Sequence, residues 1–390
     1  MHVAYLYPEH LGRPEARLLQ VAATLRALAR QGAQVSFLVG RFAGLERRLE
    51  ELGLAGQAGL MVEPLAMWQP GPGSPAFFSW HLPYHLAALA RLGRLAGQGL
   101  TWVLARHLKL TGFLLPRLPG LGLKLCFEAH ELFSQTAREE GADPAKVAAL
   151  AALEARVFTG ADRLAAISRP LAAALEPLPG VRGPVLVAPS GVEEAFFSLG
   201  GQPRQPGLVA YAGGLGAWKG VDLLIQAVAR VPQARLEVLG GRPDSDDWRR
   251  LESLAQELGL AERLVMRPQA GQEAVAELLG RATVAVWPGS GRQRIAAEFT
   301  SPLKLFEYLA AGCAVLAPDL PAARAVLAQG HNARLFTPDD PDSLAQALSG
   351  LLAAPLEVER LARAGRRLAR AYTWDARARV LLAAMAEARP

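Results

Sequence analysis

The residues best suited to chemistry stand at three junctions between an apolar run and the helix-like segment that follows it. In Ser301-Pro302-Leu303-Lys304-Leu305-Phe306-Glu307-Tyr308-Leu309-Ala310-Ala311-Gly312, Pro302 sits where a helix begins. The free backbone N–H groups of such a first turn can hold a phosphate. Lys304 adds a point charge in the same turn, and Glu307, about one and a half turns on, is placed to accept two hydroxyls of a ribose. An amphipathic helix with a proline start and a glycine stop has the same pattern, so this segment alone leaves both readings open.

The second junction is Tyr211-Ala212-Gly213-Gly214-Leu215-Gly216-Ala217-Trp218-Lys219-Gly220-Val221-Asp222. Glycines there let the backbone approach a diphosphate, and a lysine supplies its counter-charge. Arginine outnumbers lysine 37 to 5. Two of so few lysines, Lys219 and Lys304, at separate junctions of one half of the chain suggest a shared anionic ligand, and chance placement is the alternative. Third is Glu128-Ala129-His130-Glu131. Carboxylates flanking a histidine after a strand suit acid–base chemistry or substrate hydrogen bonding, and a histidine tied into local loop structure would look alike.

The elements that must position these residues alternate in type. Apolar runs and helix-period segments follow one another throughout, the pattern of parallel sheets flanked by helices. Strands are expected at His2–Tyr7, Gln34–Val39, Gly59–Glu63, Thr101–Arg106, Leu123–Glu128, Arg163–Ile167 and Pro184–Ala188, with helices over Pro14–Arg30, 81–98, 144–160 and 168–176. The stretch Ser198–Gly207 has almost nothing to bury and is the expected linker. Strands are then expected at Leu208–Ala212, Arg235–Leu239, Arg263–Met266, Thr283–Trp287, Ala314–Ala317 and Ala333–Phe336. Helices are expected over Val221–Arg230, Asp247–Leu258, Glu273–Gly280 and Pro302–Ala311, and from Asp340 to the end with a break near Tyr372–Asp375. The expected domains are 1–197, a linker 198–207, 208–371, and a helix over 372–390 that crosses back to the first domain. Two doubly wound domains imply a cleft, with ligands outside the carboxyl ends of the strands.

The composition closes off other classes. The chain has 390 residues and is 51% hydrophobic, enough for two globular cores. Its two cysteines lie far apart with no metal or redox spacing, which fits a reducing compartment. The start lacks a basic region before its apolar run and reads as a strand, and no run approaches the roughly 20 apolar residues of a membrane span. A cytoplasmic location is expected. Net charge is +6 without a basic cluster interleaved with aromatics, so nucleic acid is not an expected partner. One asymmetry stands out: no acid occurs between Glu63 and Glu128, while Arg91, Arg94, Arg106, Lys109, Arg117 and Lys124 fall inside, with Trp68, Phe77, Phe78, Trp80, Tyr84 and Trp102. A basic, aromatic surface suits peripheral contact with an anionic membrane face or a lipid-linked acceptor; core aromatics with scattered arginines are the alternative.

Taken in order, these motifs closely resemble the family 4 retaining glycosyltransferases of the GT-B fold. The order is Gly-x-Leu-x-x-Trp-Lys-Gly-Val-Asp, Leu-Gly-Gly-x-Pro, Ser-Pro-Leu-Lys-Leu-Phe-Glu-Tyr-Leu-Ala-Ala-Gly and Asp-Leu-Pro. The likeness extends to Glu128–Glu131, to Ala188-Pro189-Ser190-Gly191-Val192 and to Tyr372-Thr373-Trp374-Asp375-Ala376-Arg377, and the Ser-Pro-x-Lys-x-x-Glu-Tyr block is particular to one branch. The resemblance implies transfer of a hexose-like sugar from a nucleotide-diphosphate sugar to an acceptor hydroxyl of a glycan, lipid-linked or small molecule. It also implies retained configuration, no metal and no cofactor, in cell-envelope or exopolysaccharide biosynthesis.

Position by position, Glu307 is similar to the ribose-binding acid and Lys219 to the diphosphate lysine. The turn at Ser301, Pro302 and Leu303, beside Lys304, resembles the family's backbone cradle for the same group. His130 is similar to the histidine that approaches the donor sugar, and Gly12, with Gly213 and Gly214, to the loops near the donor phosphates. Closure at the linker is expected to exclude water.

Two positions depart from the pattern. Gly214 stands where the family has arginine, a charge that Arg292 or Arg294 could replace. Phe299 stands where its first acid falls, with Glu298 one place off. These keep open a non-catalytic sugar-nucleotide-binding protein, and the Glu128–Glu131 group keeps open a sugar-nucleotide 2-epimerase, which would need clustered carboxylates or histidines around the sugar.

Overall fold

A computed structural model describes residues 1–11, 16–67, 81–199 and 203–387. It divides into two compact units, Met1–Pro189 with Trp374–Pro390, and Ser190–Thr373. Unit 1 runs β1 (His2–Tyr7), α1 (Ala16–Arg30), β2 (Gln34–Gly40), α2 (Leu45–Glu51), β3 (Leu60–Leu65), α3 (Leu82–Ala96), β4 (Trp102–Ala105), α4 (Leu108–Leu114), β5 (Lys124–Ala129), α5 (Phe133–Glu139), α6 (Pro144–Gly160), β6 (Arg163–Ala166), α7 (Arg169–Leu175) and β7 (Leu186–Val187). Unit 2 runs β8 (Gln205–Ala212), α8 (Val221–Ala229), β9 (Arg235–Leu239), α9 (Asp246–Glu257), β10 (Leu264–Arg267), α10 (Gln272–Arg281) and β11 (Ala282–Val286). It continues with α11 (Leu303–Ala310), β12 (Ala314–Pro318), α12 (Pro321–Arg324), β13 (Arg334–Phe336), α13 (Pro341–Leu352) and α14 (Pro355–Ala369). The last helix, α15 (Trp374–Ala386), returns to unit 1 and packs on α1.

Both sheets are wholly parallel and doubly wound. Their strand orders are β3-β2-β1-β4-β5-β6-β7 and β10-β9-β8-β11-β12-β13. Each order reverses beside the unit's first strand, at β1/β4 and at β8/β11, where the connections diverge to opposite faces and leave a crevice at the strand ends. Strands buried on both faces explain the near-continuous apolar runs: β1 and β12 are buried throughout.

Local chemistry sets many boundaries. The Asp143 side chain accepts the Ala145 N–H at 2.8 Å, with Pro144 at the first helical position, so α6 starts where the sequence predicts. Ser168 caps α7 in the same manner.

The division of the chain differs from the expected one. It falls before Ser190 because Phe196 and Phe197 are buried in the unit 2 core, and the Val192 N–H reaches the Tyr372 carbonyl at 2.8 Å. Residues 205–207 of the expected linker are the first residues of β8. Short helices α2, α4, α5 and α12 add to the expected elements, and the start expected for α1 lies outside the described residues, as does Gly12.

Tyr84 and Trp102, two of the six aromatics named from the acid-free stretch, are core residues, whereas Trp68, Phe77, Phe78 and Trp80 lie outside the described residues. Arg91 donates to Glu63.

Candidate functional site

Unit 2 gathers most of the candidate residues at the carboxyl ends of β8 and β9 and at the start of α11. Gly213 follows β8 at φ 150°, a conformation open to glycine, and a β-carbon on Gly240 would stand 1.9 Å from the Gly213 carbonyl oxygen. Two glycines thus let the loops after neighbouring strands touch. The chain then passes through a 3₁₀ turn, Ala217–Lys219, into α8.

Lys219 is half-buried, with Nζ 3.3 Å from the centre of the exposed Trp218 ring. Burial pulls its amine down to about 8. Lys304 lies in the first turn of α11, and its Nζ donates to the Tyr211 hydroxyl at 3.0 Å. Burial, then the charge of Lys219, pulls its amine down to about 7 against the pull of Glu307. Among the described residues neither lysine has a carboxylate in salt-bridge reach. Two amines held partly out of water with no counter-ion make a site that gains from an anion.

Helix α11 is fastened to β8 by Tyr308, whose hydroxyl accepts the Ala212 N–H at 2.9 Å. Pro302 is the residue just before the helix, with φ −70° and ψ 106°, so the helix starts at Leu303, one place later than expected, and Leu303 carries its first N–H, since proline has none. Glu307 is half-buried and pushed up to about 7 by burial, opposed by a hydrogen bond from Gln272 and by Lys304, and reinforced by Glu193. Ser301 is buried, and its Oγ accepts the Ser190 N–H at 2.9 Å, so it holds the loop at the start of unit 2.

The two departures have visible settings. Phe299 is buried at the end of a π-helical turn, Ile295–Phe299. Arg294 pairs with Glu298 at 2.8 Å, so its charge is taken, while the Arg292 side chain is exposed. Gly214 is exposed, and its carbonyl accepts the Tyr211 hydroxyl at 2.6 Å.

Unit 1 holds His130, at the carboxyl end of β5, in a buried polar network. Arg106 Nη2 lies 2.9 Å from His130 Nδ1 and can only donate, so the ring proton is assigned to Nε2, which donates to Glu128 Oε1. Burial, then Arg106, pulls the imidazole down to about 4 against the pull of Glu128, so the ring is neutral. Burial alone would push the Glu128 carboxyl up. Arg377 of α15 outweighs that, with His130 and Arg106, and holds it far below the carboxylate range. Arg377 donates to Glu128 and to the carbonyls of Ala188 and Pro189.

Beside this network lies a cavity of about 250 Å³, lined among others by Tyr7, Glu9, His81, Arg106, His107 and His130. Among the described residues no group of three or more His, Cys, Asp or Glu side chains is arranged to hold a metal ion, and no helix is long and apolar enough to cross a membrane.

The structure thus brings Gly213, Gly214, Lys219, Lys304 and Glu307 to one end of the unit 2 sheet, and sets His130 at the corresponding end of the unit 1 sheet. Sequence reasoning missed Tyr211, Gln272, Arg106 and Arg377 as members of these sites. Arg377 had a signal, since it closes the motif that begins at Tyr372. Arg106 stands directly after a strand.

Two family models match the chain in succession: one described as Glycosyltransferase Family 4 over residues 20–196, and one described as Glycosyl transferases group 1 over residues 206–354. The chain therefore belongs to the glycosyltransferases of the GT-B fold, with a family 4 amino-terminal part and a group 1 carboxyl-terminal part. Among curated proteins it is similar to the phosphatidyl-myo-inositol mannosyltransferase of Mycolicibacterium smegmatis, 35% identical over 197 residues, 48% of each chain. It spans about half the length of the curated relatives it matches.

Two solved structures share the fold. They are the sucrose-phosphate synthase of Thermosynechococcus elongatus (TM-score 0.75, 20% identity, 98% and 99% of the chains covered) and Anabaena HepE in complex with UDP and glucose (0.71, 17%, 99% and 99%).

Proposed function

We propose that this chain moves a sugar from a nucleotide-diphosphate sugar to an acceptor hydroxyl, with retention of configuration and without a metal. The observation that carries the reading is the group of Lys219, Lys304 and Glu307 at the β8/β11 end of unit 2: two amines with no carboxylate in salt-bridge reach among the described residues, and a carboxyl group one turn along α11 from Lys304. As the glycosidic bond breaks, the leaving diphosphate gains negative charge, and the two ammonium groups and the first N–H groups of α11 stabilise it. Glu307 accepts ribose hydroxyls. The crystallised HepE complex with UDP supports a nucleotide donor by analogy of fold.

No protein nucleophile is required in this scheme, because the leaving phosphate can take the acceptor's proton. His130 has both ring nitrogens occupied by Arg106 and Glu128, which suits a fixed neutral surface beside the sugar and not a free base. The acceptor is assigned to the cavity beside it. A finer part of the reading is peripheral contact between unit 1 and an anionic membrane, supported by Leu82 and Leu86, 45% and 53% exposed on α3, and by the acid-free stretch around them.

A thermal-shift panel of nucleoside diphosphates and nucleotide sugars tests the donor site. A ligand at a hundredfold excess over its Kd stabilises by about 2.7 kcal/mol. Lys219→Ala and Lys304→Ala should each weaken diphosphate binding about 10- to 100-fold, as befits hydrogen bonds to charged groups. If no nucleotide or nucleotide sugar shifts the melting point, the reading fails.

A further inference from the structure

Tyr211, near the carboxyl end of β8, is fully buried among the core residues of unit 2, yet its hydroxyl has two polar partners. It donates to the Gly214 carbonyl at 2.6 Å and accepts from Lys304 Nζ at 3.0 Å. The Lys304 ammonium also stands 4.3 Å from the centre of the Tyr211 ring. On the other side, a β-carbon at Gly213 would come within 2.5 Å of Nζ and 3.2 Å of the Tyr211 hydroxyl. One side chain therefore joins the cation, the ring beneath it and the carbonyl of the glycine turn.

We infer that Tyr211 is a positioning residue for the donor diphosphate: its hydroxyl and ring, with the absent side chain of Gly213, form a seat that holds the Lys304 ammonium against the glycine turn. This rests on the reading of Lys304 as a diphosphate ligand. A lysine is a flexible point charge, and holding its head in place before the ligand arrives removes part of the ordering that binding would otherwise require. The seat also explains how a chain with Gly214 in place of an arginine brings a second cation to the turn. The charge comes from α11, and β8 holds it.

The test is a double-mutant cycle with Tyr211→Phe and Lys304→Met, read by calorimetric titration with UDP, GDP and ADP and with the matching nucleosides. Tyr211→Phe keeps the ring and removes the hydroxyl. With Lys304 present it should weaken binding of the preferred diphosphate about tenfold and leave the nucleoside unchanged. In the Lys304→Met background it should have no effect on the diphosphate. Equal weakening in both backgrounds, or equal weakening of nucleoside and diphosphate, overturns the inference, since a merely structural tyrosine gives that result.

If Tyr211→Phe does not fold, Gly213→Ala serves, because its β-carbon displaces the same ammonium. If the wild-type chain binds none of the three diphosphates, or Lys304→Met binds as wild type does, the donor-site reading itself falls. That outcome is distinct from a Tyr211→Phe variant that matches wild type while Lys304→Met does not.

Discussion

Arg377 on α15 donates to the Glu128 carboxylate at the end of β5, joining residues 249 positions apart. The side chains are only 4% exposed on each side. A pair so deeply buried contributes less through its own attraction than through the penalty of breaking it, since a lone charge cannot regain water.

Arg377→Ala should therefore cost about 3–5 kcal/mol, measured by urea denaturation of unit 1. Glu128→Leu combined with Arg377→Met should cost less than the two single changes added together, because the double variant leaves no orphan charge. Nucleoside diphosphate affinity, assigned to unit 2, should stay near wild type. A loss below about 1 kcal/mol for Arg377→Ala would mean that water compensates Glu128.

The donor residues predict a pH dependence whose sign can be worked out. Glu307 is raised to about 7 in the folded chain from an ordinary 4.5. The stability belonging to its protonated form is complete below pH 4.5 and lost as pH rises through about 7. Glu307→Gln stays neutral throughout, so its stability relative to wild type should grow between pH 5 and pH 8 by roughly 1–3 kcal/mol, a range that allows for coupling to Lys304. A constant difference across that range would refute the buried-acid picture.

Lys304 and Lys219, lowered to about 7 and about 8, work in the other direction. Their folded forms release protons early, and a bound diphosphate should restore them. Binding at pH 8 should then take up protons, measurable by titration in buffers of different ionisation enthalpy.

Membrane contact, if it occurs through unit 1, should require both charge and apolar surface. The chain should co-sediment with vesicles containing phosphatidylglycerol, be released by salt, and lose affinity on Leu82→Ser with Leu86→Ser. Equal recovery in the supernatant with neutral and anionic vesicles would end this part of the proposal.

Much of this was legible in the sequence because local rules decide it. The Asp143-Pro144 start of α6 and the alternation of apolar runs with helix-period segments each need only neighbouring residues. The helix α4 escaped notice because it follows β4 almost at once and buries most of its surface, with the unusual cap His107, whose Nδ1 accepts the Leu110 N–H at 3.2 Å. The unit boundary was misplaced because Phe196 and Phe197 lie in a stretch that looks like a continuation of the first half, and only packing assigns them to unit 2.

For the candidate site, the placing of Lys219 and Lys304 at strand-to-helix junctions, of Glu307 along α11 and of His130 after β5 was readable from residue type and position. Their partners were not. Tyr211 was given no role within its motif because its contact with Lys304 joins residues 93 positions apart, and the link from Glu128 to Arg377 depends on a helix at the far end of the chain.

That helix also bears on how the protein is made. Residues 190–373 form unit 2 as one unbroken stretch, whereas unit 1 needs residues 1–189 and then Trp374–Ala386. On the ribosome the amino-terminal unit emerges first but lacks α15, and with it the guanidinium that balances Glu128, until synthesis has passed through the whole of unit 2. Unit 2 is thus the first whose residues are all in hand, and the earlier-translated part of unit 1 is sealed by a helix made after unit 2.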